Sequence, residues 1–92
     1  MLPVMASRSR QAPAIRVQLF ARYAELFGSA HVDLTPQGIS TVADVLERLR
    51  ALPGGDAIGS AALVAVNLQQ VRLTALVTVQ DEIAILPPLA GG

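Results

Sequence analysis

The sequence predicts a small α+β roll, in which one amphipathic helix covers a single sheet of short strands. Three observations predict it. Ninety-two residues make one domain, because single hydrophobic cores run from about 50 to 250 residues. Strand-like segments outnumber helical ones, and only TVADVLERLRAL sustains a helical period. Apolar residues are 52% of the chain and charged ones 15%, above and below the averages for soluble domains, so part of the apolar excess is expected to face a partner.

The elements follow in order. Residues 1–14 contain MLPVMASRSRQAP, which has neither structural period and reads as a disordered extension with no assigned role. In IRVQLFA, Ile15, Val17 and Leu19 point one way while Arg16, Gln18 and Phe20 point the other, the alternation of a half-buried strand that leaves Phe20 on the polar face. RYAELFG (22–28) is too short for an isolated helix and fits a turn or two closed by Gly28. AHVDL (30–34) alternates again, with Val32 and Leu34 on one face, and Thr35-Pro36-Gln37-Gly38 is a turn in which Gly38 is free to take positive φ.

The clearest helix spans 41–52. Thr41 caps it with Asp44 three residues on, a shortened capping box, and Val42, Val45, Leu46, Leu49 and Leu52 share one face. Glu47, Arg48 and Arg50 are expected to face water, Asp44 and Arg48 to form an i,i+4 pair, and Pro53-Gly54-Gly55 to end the helix. ALVAVN (62–67) is apolar almost throughout, which suits a strand buried on both faces at the centre of a sheet. VRL (71–73) is a short strand candidate, ALVTV (75–79) has no decisive pattern, and EIAIL (82–86) is a last strand leading into Pro87. The domain is therefore expected to span 15–86, followed by a carrier tail at 87–92.

Composition excludes several functions. Seven basic residues balance seven acidic ones and aromatics are 3% of the chain, so neither the field nor the stacking platforms of a nucleic-acid binder are present. All seven basic residues are arginine, so the only amine is the N-terminus and the chain cannot build isopeptide-linked polymers with itself. Cysteine is absent, which removes disulfides and thiolate chemistry and is compatible with the cytoplasm. The apolar runs are too short to span a bilayer, and neither an export signal nor a membrane anchor is expected.

The chain ends on ILPPLAGG. Two prolines hold a segment extended, and at about 3.1 Å per residue the six residues from Pro87 to Gly92 reach roughly 19 Å beyond the sheet. Leu89 can anchor in an apolar pocket, while Ala90, Gly91 and Gly92 are thin enough for a narrow channel. A terminal glycine carboxylate is a poor electrophile. An ATP-dependent partner could convert it to an acyl-adenylate from which sulfur or an amine takes the acyl group, so the catalytic groups can all belong to partners.

LFARYAELFG, STVADVLERLRAL, VAVN and above all DEIAILPPLAGG resemble the small subunit of molybdopterin synthase, the MoaD group of ubiquitin-like sulfur carriers. The resemblance covers residues 15–92, and Pro-Pro-x-x-Gly-Gly separates this group from the thiamine-pathway carriers. It implies a β-grasp (ubiquitin-like) roll, a mixed sheet of about four to five strands under one main helix. It also implies that Gly92 is adenylated by an E1-like adenylyltransferase using ATP and becomes a thiocarboxylate charged from a sulfur donor protein. The thiocarboxylate would give its sulfur to a cyclic pyranopterin monophosphate in the large subunit's active site during molybdenum cofactor biosynthesis. By the same resemblance Gly91 and Gly92 are the essential tip, Pro87, Pro88, Leu89 and Ala90 thread the large subunit's channel in a heterotetramer, and Phe20 and Leu86 belong to an apolar patch that meets the partners. This chain would then be the sulfur-donating subunit of a sulfurtransferase, with catalytic side chains on the large subunit and no cofactor of its own. One departure stands out: the family commonly has Gly-Asp-Glu before the last strand, where this chain has Gln80-Asp81-Glu82.

Other features are weaker. His31 and Asp33 share a strand face but are too few for a zinc site, and Asp81 with Glu82 reads as a solvated turn that could also meet a basic partner. Two other functions stand beside the leading one. The related alternative is a carrier for thiamine, tRNA thiolation or cysteine synthesis; the unrelated one is a protein tag or a non-catalytic ubiquitin-like interaction module.

Overall fold

The structure, a computed structural model, describes residues 13–88. Nearly all of the expected N-terminal extension, and Leu89, Ala90, Gly91 and Gly92 of the tail, lie outside the described residues.

The alternation of Ile15, Val17 and Leu19 places β1 at Ile15–Leu19, where these three side chains are buried and Arg16 and Gln18 are exposed. A short helix α1 (Arg22–Phe27) closes on Gly28 with φ 74°, the left-handed C-cap that glycine adopts without steric cost. Strand β2 (His31–Leu34) returns antiparallel to β1, with Ile15 opposite Leu34. Helix α2 (Val42–Arg50) then crosses the sheet, followed by a 3-10 turn at Gly55–Ala57, β3 (Leu63–Val66), β4 (Gln69–Gln70) and β5 (Ile83–Leu86). The sheet order is β2-β1-β5-β3-β4, with β1 and β5 parallel and the other pairs antiparallel. This is the mixed β-grasp roll that the sequence predicts.

One face of the sheet buries Ile15, Val17, Leu19, Leu34, Val64, Ile83 and Ile85 against Val42, Val45, Leu46 and Leu49 of α2 and Tyr23 of α1. The sheet has no second layer among the described residues, so its other face stays open.

The capping box forms as expected. The Asp44 N–H donates to Thr41 Oγ1 at 3.3 Å, while the Asp44 carboxylate accepts the Thr41 N–H at 3.1 Å and the Ser40 N–H at 2.9 Å. Two further N–H groups of the first turn, those of Val42 and Ala43, donate to the carbonyls of Ala75 and Leu73, so a crossing loop takes up donors that a helix start leaves without partners.

Several local expectations are corrected. Arg48 does not pair with Asp44, whose carboxylate is occupied by backbone N–H groups. Its guanidinium donates instead to the Thr35 and Gln37 carbonyls at 3.1 and 2.7 Å. Arg50 similarly reaches the Ile58 and Gly59 carbonyls at 2.9 and 3.2 Å, so both arginines clamp loops as well as meeting solvent. The helix ends at Arg50 with Ala51 as its cap, before Pro53, and Leu52 packs half-buried beyond it. Gly55 is needed for proximity: a Cβ there would lie 1.8 Å from the Leu49 carbonyl oxygen.

The centre of the sheet is β5 and not the ALVAVN strand. Of Leu63–Val66 only Val64 is buried, because Leu63 and Ala65 lie on the uncovered face. The short strand begins at Gln69, not Val71, because Asn67 and Leu68 have φ 53° and 71° and reverse the chain within two residues. ALVTV is irregular apart from a single bridge between Leu76 and Thr41.

Candidate functional site

The candidate site is the point where β5 leaves the sheet. Because β5 is held by β1 on one side and β3 on the other, its last residues are fixed by two ladders. Pro87, without an N–H, stops that pairing on its donor side. Pro87 is half-buried and Pro88 exposed.

Register determines what surrounds this exit. Leu63 pairs with Leu86. On the other side Leu19 pairs with Ile85, and the Phe20 N–H donates to the Ile85 carbonyl at 3.2 Å, which brings Phe20 beside Leu86 one step further along. Phe20, Leu86 and Leu63 thus form a row across the open face at the base of the tail. The next row down pairs Gln18, Ala84 and Ala65, in which the two alanines beside Gln18 leave Leu86 and Leu63 above them standing proud. Phe20 is 44% exposed.

Ala21 fixes the Phe20 end of this row. Its φ of 53° and ψ of −131° end the strand abruptly, a conformation that favours glycine and is costly for alanine. The Tyr23 N–H then returns to the Phe20 carbonyl at 3.1 Å, starting α1.

From Gln18 downwards the open face is polar. Arg16 Nε donates to Asp33 Oδ1 at 3.0 Å. That hydrogen bond holds the Asp33 carboxyl below its ordinary range and raises the Arg16 guanidinium. Both groups are well exposed, so the pair contributes little stability. Arg16, Gln18, Asp81, Glu82 and Ile83 line a shallow groove on this half. His31 and Asp33 are exposed on the edge strand, and among the described residues no group of three or more His, Cys, Asp or Glu could hold a metal ion.

The turn before β5 is built without the glycine common in the resembling family. Among the described residues Ala21, Asn67 and Leu68 are the non-glycine residues with positive φ, so Gln80 needs no left-handed freedom. Asp81 closes the turn instead. Its carboxylate accepts the Thr78 N–H at 2.8 Å and the Asn67 amide at 3.0 Å. The Asn67 bond, followed by that from Thr78, holds the Asp81 carboxyl below its usual range. Asp81 is thereby a structural group, and its role differs from that of its neighbour Glu82.

Phe20 and Leu86, singled out from the sequence, are brought together; Leu63, Ala65 and Ala84 join them but could be found only by knowing which strands are neighbours. Leu68, Leu73 and Leu76 are also exposed. Among the described residues no helix is long and apolar enough to cross a membrane.

This fold matches known proteins. The ThiS family model matches residues 17–92, and the chain belongs to the ThiS family, ubiquitin-like domains of the MoaD/ThiS type. It is 35% identical over 79 residues to the molybdopterin synthase sulfur carrier subunit of Arabidopsis thaliana, covering 85% of this chain and 82% of that protein. Among solved structures, SAMP1 from Haloferax volcanii superposes with a TM-score of 0.71 at 28% identity, over 86% of this chain and 99% of that one. The small archaeal modifier protein 1 of Methanosarcina acetivorans gives a TM-score of 0.71 at 25% identity, over 89% and 99%.

Proposed function

We propose that this chain is a sulfur carrier and serves as the small subunit of a molybdopterin synthase. The observation that carries the proposal is the exit of the central strand β5 into Pro-Pro-Leu-Ala-Gly-Gly beside the row of Phe20, Leu86 and Leu63. The likeness to the Arabidopsis thaliana sulfur carrier subunit supports the pathway. In this reading an E1-like adenylyltransferase forms an acyl-adenylate at Gly92, and sulfur from a donor protein displaces AMP to leave a thiocarboxylate. The apolar row docks on the large subunit, Pro87 to Ala90 enter its channel, and the sulfur passes to a cyclic pyranopterin monophosphate there. The chain's own contribution is positional: a rigid two-ladder base, an extended spacer and a tip without side chains.

The test is the intact mass after incubation with ATP, a sulfide source and the E1-like enzyme of the same cell. A mass gain equal to exchanging one oxygen for sulfur, localised to Gly92, is the expected result. An unchanged mass under conditions that charge a known carrier would overturn the reading. Use as a protein tag is the second reading, favoured by the structural likeness to the archaeal modifier proteins. It is distinguished by Gly92 in isopeptide linkage to lysines of other proteins.

A further inference from the structure

Antiparallel pairing fixes which backbone groups the edge strand β2 turns away from the sheet. The Leu19 N–H donates to the Ala30 carbonyl at 2.8 Å. By alternation Val32 and Leu34 bond inward to β1, while His31 and Asp33 direct their N–H and C=O groups outward. Outward backbone of this kind is a template for another strand. The opposite edge, β4, is only Gln69–Gln70, too short to serve as one.

One side chain closes half of the β2 edge. The Ser29 hydroxyl donates to the His31 carbonyl at 2.8 Å and accepts the His31 N–H at 3.3 Å, so it takes both outward groups of that residue. Beyond the strand, the Thr35 carbonyl is taken by Arg48 at 3.1 Å. Among the described residues the Asp33 N–H and C=O have no such partner.

Charge then decides which pairing is open to a second copy. With Ser29 in place, the symmetric antiparallel register sets Asp33 against Asp33, and like charges directly opposite destabilise a sheet. If Ser29 releases His31, the register can centre on Val32. His31 of each copy then exchanges N–H···O=C bonds with Asp33 of the other, and imidazole stands beside carboxylate on the open face, a complementary cross-strand pair.

We propose that the β2 edge is an interaction surface for a second copy of this chain, and that the Ser29 hydroxyl is its latch. Pairing about Val32 joins two five-stranded sheets into one through a self-complementary contact. The two-fold axis is perpendicular to the sheet, so the rows of Phe20, Leu86 and Leu63 stay open and the two β5 strands run in opposite directions. The contact does not use the row assigned to docking, and it stands whether or not the chain carries sulfur.

Sedimentation velocity of the full chain, over concentrations up to millimolar, tests this. The wild type is expected to associate only near millimolar, because the contact is small and each latch must open. Ser29→Ala is expected to lower the dissociation constant at least about tenfold, since neither copy gives up a hydrogen bond on pairing. In that background His31→Asp should return the chain to monomer by setting carboxylate against carboxylate, and His31→Asp combined with Asp33→His should recover the association. All three positions are exposed, so the variants are expected to keep the wild-type thermal melt. A Ser29→Ala chain that associates no more tightly than wild type, or whose association survives His31→Asp, would overturn the proposal. So would association that Phe20→Ser abolishes, since that would place the contact on the apolar row.

Discussion

The side-chain amide of Asn67 donates to the Asp81 carboxylate at 3.0 Å, while its own side-chain oxygen accepts the Glu82 N–H at 2.9 Å. One side chain therefore joins the β3–β4 turn to the entry of β5. The Asn67 N–H also donates to the Glu82 carbonyl at 2.8 Å, so three hydrogen bonds from this one residue fix where the central strand begins. Its far end then delivers the tail beside Phe20 and Leu63.

The acid stability of the fold depends on this carboxylate and on Asp44, with only a small contribution from the exposed Asp33. Asp81, Asp44 and Asp33 all titrate below their ordinary value, through the Asn67 amide, the Ser40 and Thr41 N–H groups, and the Arg16 guanidinium respectively. A depressed folded pKa means that the native state binds fewer protons than the unfolded one. The stabilisation is therefore complete above the unfolded carboxylate pKa of about 3.9 and is lost as pH falls through the folded values. Urea midpoints should stay level from about pH 7 to 5 and fall below about pH 4. Asp81→Asn should flatten that fall; an unchanged profile would show that Asp81 does not contribute.

Two residues hold backbone conformations better suited to glycine. Leu68 has φ 71° at a turn and is 91% exposed, while Ala21 has φ 53°. Leu68→Gly and Ala21→Gly should each stabilise the fold by about 0.5–1 kcal/mol, the relief of left-handed strain exceeding glycine's entropic cost. Chemical denaturation measures both, and a loss of stability in either would refute the strain at that site.

Gly55 presents the opposite case. A methyl group there would meet the backbone of Leu49 and Arg50 rather than a movable side chain. Gly55→Ala should therefore destabilise the protein by about 2–3 kcal/mol, as overpacking at a rigid contact does. A thermal melt within experimental error of the wild type would show that the loop shifts freely.

Phe20 separates folding from docking. It is partly exposed and contributes no buried core area to the helix-facing layer, so Phe20→Ser should change stability by less than about 0.5 kcal/mol. Under the proposed function it should weaken binding to a molybdopterin synthase large subunit by about tenfold or more, the loss of one aromatic anchor. Titration calorimetry with the full chain reads this directly; undiminished affinity would place the docking surface elsewhere.

Much of the local structure was legible in the chain. Alternation in IRVQL, the Thr41–Asp44 cap and the apolar stripe of Val42, Val45, Leu46 and Leu49 are short-range patterns whose periods match a strand and a helix whatever lies around them. Register and neighbours were not legible, because they depend on residues far apart in sequence. ALVAVN could not announce that one of its faces would remain uncovered, nor Arg48 that the carbonyls of Thr35 and Gln37 would draw it from Asp44. By itself the sequence determined the strand and helix periods, the Gly-Gly end and the absence of amine and thiol side chains. Only the tertiary structure decided that β5 lies at the centre and that Phe20, Leu86 and Leu63 meet where it leaves, since pairing between distant strands is settled by the packing of the whole sheet against α2.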